Sequence, residues 1–120
     1  MNIVLAAAIA LMSANTFGQA GHYRELFEVC INMRHPTATQ TYCACSAQRL
    51  VERPEPEQLL LIEMATLYAR TPDPRPQQAK QMQAELRARH RSDQGFDARL
   101  NIVKQVGTAV AHDCAPPRQH

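Results

Sequence analysis

Two cysteines one residue apart, Cys43 and Cys45, are the side chains in this sequence whose spacing most directly suggests chemistry. A redox-active cysteine pair needs an exposed thiolate of low pKa and a second sulfur that can reach it. Such pairs usually have the spacing Cys-x-x-Cys at the start of a helix, where the helix dipole lowers the thiol pKa. Here the spacing is one residue shorter and the pair lies in the middle of a predicted helix. Structural disulfides are therefore the favoured interpretation, with thiol-disulfide exchange as the alternative.

Metal binding and hydrolysis are the other chemistries to weigh. No His-x3-His, Met-x-x-Met or Cys-x-x-Cys spacing occurs, and no hydroxyl-base-acid grouping identifies a clear serine or cysteine hydrolase. We therefore predict no catalytic residue, no cofactor-binding residue and no metal ligand, and we expect no cofactor. Metal handling by histidine and methionine is kept as an alternative. The candidate histidines are His22, His35, His90, His112 and His120.

Residues 1–20 are predicted to be an export signal that is not part of the fold. Residues 3–12 form an apolar run of the length of a signal-peptide core, which is too short to span a membrane. Gly18 and Ala20 are the small residues expected at positions −3 and −1 of a cleavage site. Cleavage after Ala20 is favoured over cleavage after Ala14, and an uncleaved anchor is the competing interpretation. The mature domain, residues 21–120, is then periplasmic or secreted, with no membrane span.

Four cysteines in a short exported chain are typical of a disulfide framework. Residues i and i+2 of a helix point about 200° apart, so Cys43 and Cys45 cannot bond to each other without breaking the helix. Two pairings remain open: Cys30–Cys43 with Cys45–Cys114, or Cys30–Cys45 with Cys43–Cys114. The first is preferred because Cys43 shares the apolar face of its helix with Ala47. An antiparallel helix that carries Cys30 would cover this face.

Apolar residues recur at helical spacing through most of the mature chain, and no segment alternates as a strand does. Pro36 ends the first predicted helix, and a proline-rich connector, residues 71–76, separates the third from the fourth. The predicted helices cover residues 23–34, 38–53, 56–70, 77–91 and 96–114. The expected fold is all-α, with four to five short helices in one small bundle that is stapled by two disulfides.

The third and last helices carry the widest apolar faces. The third includes the run from Leu59 to Ile62, and Ile102 widens the face of the last helix. Gly107 is expected to let another helix approach closely, and Ser92 or Asp93 is the candidate cap at the start of this helix. The face of the last helix comprises Phe96, Leu100, Val103, Val110 and Cys114.

The formal net charge of +2 is small for a dedicated nucleic-acid binder, so we predict no nucleic-acid partner. Basic residues concentrate in the fourth helix, whose polar side we interpret as a solvated face. Binding of an anionic partner or a membrane surface is the alternative. The residues concerned are Lys80, Arg87, Arg89, His90 and Arg91.

The cysteine pattern resembles that of small exported bacterial proteins that share a Tyr-Cys-x-Cys helix. The matching residues are Phe27-x-x-Cys30, then Tyr42-Cys43-Ala44-Cys45-x4-Leu50, then a C-terminal Cys114. This resemblance spans the mature chain and implies an exported helical protein, without implying an activity.

A second resemblance covers Pro56 to Leu86, which is similar to the second half of Rap1a/Tai-type immunity proteins through Gln58-Leu59 and Pro76-x-x-Ala79. Those are small periplasmic helical proteins that neutralise type VI secretion amidases. The expectation is thus an exported, non-enzymatic protein that binds another protein, with an immunity or inhibitor role. A periplasmic thiol-disulfide or metal-handling accessory using Cys43 and Cys45 is the alternative.

Overall fold

The computed structural model describes residues 21–116, and within this range the chain forms five α-helices and no strand. The predicted export signal, residues 1–20, and His120 lie outside the described residues. The expected all-α bundle with two disulfides is confirmed. None of the described helices is both long and apolar enough to cross a membrane. The helices are α1 (Tyr23–Asn32), α2 (Gln40–Leu50), α3 (Glu55–Arg70), α4 (Pro76–Arg89) and α5 (Phe96–Cys114).

Capping at both ends makes α2 shorter than the predicted span of residues 38–53. The helix starts after Thr39, whose hydroxyl accepts the backbone N–H of Tyr42. Beyond the last residue of α2, the backbone carbonyls of Val51 and Arg53 accept hydrogen bonds from the side-chain Nε2 of Gln58, at 3.1 and 2.7 Å. Gln58 is only 2% exposed. A buried side chain from α3 therefore fixes the turn that ends α2.

The main core lies between α3, α4 and α5, and we call it the apolar cluster. Its α4 members, Met82 and Leu86, are one turn apart, so a mostly polar helix still buries a narrow stripe. Val103 on α5 is 1% exposed. None of the four cysteines lies on α3 or α4. The apolar cluster consists of Leu60, Leu67, Met82, Leu86, Phe96, Leu100 and Val103.

Residues 21–53, which contain α1 and α2, form what we call the crosslinked region. Its buried apolar residues are Leu26, Cys43 and Ala47. One disulfide joins Cys30 of α1 to Cys43 of α2, with an S–S distance of 2.03 Å. The other joins Cys45 of α2 to Cys114 of α5, with an S–S distance of 2.01 Å. These bonds form the first of the two pairings that the sequence leaves open.

Three expectations about α3 and α5 need correction. α5 begins at Phe96, and neither Ser92 nor Asp93 caps it. Asp93 instead accepts the backbone N–H of Gly95 and pairs with Arg99. Leu59 and Ile102, predicted to lie on apolar faces, are 45% and 43% exposed. The apolar arc of each helix is wider than the surface that neighbouring helices cover.

Candidate functional site

Cys43 and Cys45 both form disulfides. The described residues include all four cysteines, and none of the four is free. Cys43 is 0% exposed. Cys45 is partly exposed and borders a shallow depression beside Gln48 and Arg49. Thiol-disulfide exchange requires a free or exchangeable sulfur at the surface. In this structure each cysteine has a partner that links two helices.

The candidate histidines of residues 21–116 each contact a nearby carboxylate or hydroxyl. The pKa of His22 is raised, chiefly by its hydrogen bond with Glu25, and Glu55 adds to the effect. Residues 21–116 contain no cluster of three or more His, Cys, Asp or Glu side chains that could hold a metal ion. The contacts are His22–Glu25, His35–Thr37, His90–Glu63 and His112–Asp113.

A small cleft between α3 and the α4–α5 loop is lined by two pairs of side chains in contact, His90 with Glu63 and Arg99 with Asp93. His90 contacts Glu63, and its ring stacks on Phe96 with the centroids 4.5 Å apart. Asp93 contacts Arg99, and the hydrogen bond from this guanidinium lowers the pKa of the carboxyl. Each carboxylate in the cleft thus already has a side-chain partner. This pairing indicates a structural link between α3 and the start of α5.

The basic stretch of α4 is compensated by nearby acids. Arg89 lies 2.6 Å from Glu85 and 3.8 Å from Glu63. Arg87 lies 3.9 Å from Asp97 at the start of α5. These partners neutralise two of the arginines that make this helix basic. The geometry is that of a solvated face with local ion pairs.

An apolar cleft of about 240 Å³ lies where α1, α2, α3 and α5 meet, and we refer to it as the apolar cleft. α2 lines one wall with Tyr42, Ser46 and Leu50, and α1 lines the next with Val29 and Met33. Residues four apart on a helix lie above one another. The α2 wall is therefore a single ridge of side chains that runs along its helix, and the α1 wall also includes Leu26 and Cys30.

The opposite walls come from α3, through Leu61 and Met64, and from α5, through Gly107 and Val110. A Cβ atom added at Gly107 would meet no heavy atom within 4 Å. The expectation that this glycine allows close helix approach is therefore wrong. Gly107 is a gap in the wall, and a side chain placed there would extend into open space at the cleft.

The two disulfides connect the walls of the apolar cleft. Cys30 lines the cleft, and its bond to Cys43 holds α1 against α2. The bond between Cys45 and Cys114 holds α2 against the end of α5. Three of the four wall helices are thus covalently joined. The crosslinks therefore restrain the walls that these three helices form.

Ser46 places a buried polar atom next to the apolar cleft. The residue is 7% exposed, and its hydroxyl is buried with no hydrogen-bond partner among the described residues. A buried polar group without a partner costs about 1–3 kcal/mol of folding free energy. Buried polar groups of this kind are rare in folded proteins.

Sequence reasoning did not single out the apolar cleft or Ser46. A serine inside a helix is more often at the surface, so its type predicts exposure. The available signal is the four-residue spacing of Tyr42, Ser46 and Leu50, which places the hydroxyl in line with two large apolar side chains. That signal identifies a ridge without indicating whether another helix covers it.

No protein-family model matches the chain, and no curated protein or solved structure is significantly similar to it.

Proposed function

We propose that the chain is an exported, non-enzymatic protein that binds another protein through the apolar cleft. The observation that carries the proposal is the cleft itself, a concave apolar surface with three of its four wall helices joined by the disulfides. Interfaces gain most of their affinity from a few apolar or aromatic anchors that fill such concavities. The occupant is therefore an apolar side chain of the partner protein.

Export is supported by the disulfides. Two disulfides with no free cysteine are typical of proteins that fold in an oxidising compartment. The predicted signal segment, residues 1–20, agrees with this assignment. In a periplasmic or secreted setting, a small crosslinked domain that binds one partner fits an immunity or inhibitor role.

The chemistry of the lining favours binding over catalysis. Of the described residues that line the apolar cleft, Tyr42 and Ser46 carry the only hydroxyl groups, and none carries a carboxylate, imidazole or amine. A serine nucleophile needs a base within hydrogen-bond reach. Ser46 has no such neighbour. The lining residues can therefore hold an apolar group and orient it, but they do not supply a proton-transfer pair.

The test uses a plug variant that fills the apolar cleft and a matched control on the same helix. Gly107→Leu adds a side chain where a Cβ meets open space, so the fold should be retained. Ala109→Leu adds a leucine at an exposed position outside the lining. The disulfide-bonded mature chain and both variants serve as baits for crosslinking in the exported fraction. The captured partner is then titrated against each purified bait.

The wild type and the Ala109→Leu control should bind the partner with equal affinity, and Gly107→Leu should bind it at least tenfold more weakly. Equal binding by all three baits would place the interface elsewhere and refute the role of the cleft. Turnover of a lipid, peptidoglycan or thiol substrate that is lost on a single substitution would refute the non-enzymatic assignment.

A further inference from the structure

The two disulfides differ in how far solvent reaches them. Cys43 is 0% exposed, so in the folded protein no reagent reaches its sulfur. Cys45 and Cys114 are both partly exposed, and Cys45 borders the shallow surface depression on α2. A disulfide opens when a thiolate attacks one sulfur and the other sulfur leaves, so access helps to decide which bond reacts.

The leaving sulfur distinguishes the two bonds further. Attack on Cys30, which borders the apolar cleft, would expel Cys43 as a thiolate at a position without solvent. A charge in such a place is strongly disfavoured. Attack on Cys114 would instead expel Cys45 at the depression that Arg49, one turn later on α2, also lines. Water and a neighbouring guanidinium both stabilise a departing thiolate, so Cys45–Cys114 is the more reactive bond.

Opening the Cys45–Cys114 bond would free the end of α5 from α2. Cys114 is the last residue of α5, and Val110, one turn earlier, lines the apolar cleft. The ion pair between Arg49 and Asp113 also links these two helices, at 3.2 Å, but both side chains are about half exposed. Exposed pairs of this kind contribute little to stability. The disulfide is therefore the main restraint on this end of α5.

The other end of α5 does not depend on this bond. Phe96, Leu100 and Val103 belong to the apolar cluster, which packs them against α3 and α4. Reduction should therefore loosen the α5 wall of the apolar cleft while the apolar cluster stays folded.

We infer that the Cys45–Cys114 disulfide is a redox-sensitive switch, which a dithiol reductant opens and which thereby weakens binding at the apolar cleft. This inference rests on the proposed function and names a regulation of the same site. The first thiolate of the dithiol attacks Cys114, forms a mixed disulfide with it and displaces Cys45. The second thiolate attacks the mixed disulfide, closes the reductant's own disulfide and displaces Cys114. The two protons of the dithiol end on Cys45 and Cys114, and one dithiol is oxidised for each bond reduced.

Partial reduction by dithiothreitol tests which bond opens. The folded mature protein is trapped with iodoacetamide at intervals and then peptide-mapped. In the initial phase, Cys45 and Cys114 should be alkylated about tenfold faster than Cys30 and Cys43, because access and the leaving sulfur both favour that bond. In 6 M urea the difference should disappear, since the fold creates it. Equal rates in the folded protein, or earlier opening of Cys30–Cys43, would overturn the inference.

A charge variant tests the part assigned to Arg49. Arg49→Gln should slow the opening of Cys45–Cys114 by about threefold and leave Cys30–Cys43 unchanged, because it removes the cation beside the departing thiolate. Arg24→Gln is the matched control, since the Arg24 side chain is 91% exposed on α1 and pairs with Glu28. It should leave both rates unchanged. An unchanged or faster opening in Arg49→Gln would overturn the part assigned to this guanidinium.

Hydrogen exchange on the Cys45→Ala/Cys114→Ala variant tests the release of α5. Amide protection should fall in residues 107–114 and persist in α3 and α4. Loss of protection in all five helices would show global unfolding and overturn the local release.

Titration of the captured partner tests the switch itself. The disulfide-bonded protein should bind about tenfold more tightly than the Cys45→Ala/Cys114→Ala variant, because the loosened wall must be ordered on binding. Equal affinity would overturn the switch and leave the proposed function standing. Binding that is insensitive to Gly107→Leu would instead refute the role of the cleft, and the alkylation rates would still decide which bond is exchangeable.

Discussion

The crosslinked region and the apolar cluster are stabilised in different ways. The apolar cluster buries seven apolar side chains from three helices, and no disulfide joins any two of these helices. The crosslinked region, residues 21–53, buries only Leu26, Cys43 and Ala47 among its apolar side chains, and a cysteine forms part of that small core. Apolar burial stabilises the folded state, whereas a disulfide acts mainly by restricting the unfolded chain.

This difference explains why the apolar cleft lies where it does. A region held by apolar contacts must cover its apolar surface, because apolar area that stays in water does not contribute to the free energy of folding. A region held by covalent bonds can leave the ridges of Val29 and Met33 only partly covered and still stay folded. The crosslinks thus permit a partly uncovered apolar surface in a small domain.

The largest expected effect comes from removing the disulfides. The Cys45–Cys114 bond spans 69 residues and should contribute about 4 kcal/mol, while the Cys30–Cys43 bond spans 13 and should contribute about 3 kcal/mol. Replacing all four cysteines by alanine should therefore lower the free energy of unfolding by roughly 7 kcal/mol. Small domains have about 5–15 kcal/mol in total. Urea denaturation of the two double variants and the quadruple variant measures each contribution.

Hydrogen exchange then localises the loss. If the two regions differ as described, the Cys30→Ala/Cys43→Ala variant should lose amide protection in α1 and α2 before α3 and α4. A uniform loss of protection across all five helices would contradict the distinction. In that case the domain would unfold as one cooperative unit, and loss of the disulfide would destabilise all of it.

The apolar cluster should respond instead to truncation of its side chains. Leu100 on α5 is 4% exposed, and two residues later Ile102 is 43% exposed. Leu100→Ala should lower the free energy of unfolding by about 3 kcal/mol, because it leaves a cavity between tightly packed helices. Ile102→Ala, the matched control, should change it by less than about 1 kcal/mol. Similar losses from both, measured by urea denaturation, would show that the packing around α5 differs from the structure.

The sequence predicts the helical segments because each has an apolar stripe, and because prolines and turn residues separate the segments. Phe96, Leu100, Val103 and Val110 were predicted on one face of α5, and all four are buried. Ile102 was placed with them because periodicity shows which residues are apolar. Periodicity does not show how much of the apolar arc of a helix is covered by neighbouring helices.

The polar parts of the interior escaped prediction for a related reason. Gln58 is buried because its amide bonds two carbonyls that follow α2, a contact between segments that no local pattern encodes. Ser46 is buried because four helices converge around it. Both positions depend on tertiary packing, whereas residue type alone predicts exposure.

The smallest expected effect concerns a histidine that connects the crosslinked region to α3. His22, before α1, contacts Glu25 through Nδ1 at 3.1 Å and Glu55 of α3 through Nε2 at 3.4 Å. These contacts raise the pKa of His22 above its usual 6.5, with the Glu25 hydrogen bond the largest cause. A raised pKa means that the folded state favours the protonated form. The resulting stability is therefore present below about pH 6.5 and is lost as the pH rises through the folded pKa.

His22→Gln should remove this pH dependence. The difference in unfolding free energy between wild type and variant should be about 0.5 kcal/mol or less at pH 5.5, as for other exposed pairs, and should vanish by pH 8.5. Glu55→Gln removes only the contact between His22 and α3. It should therefore show part of the same pH-dependent difference in unfolding free energy from the wild type. Salt at 0.5 M should shrink the difference, because exposed charges are screened. A difference that grows with pH would mean that His22 stabilises the fold in its neutral form, through packing between the two regions.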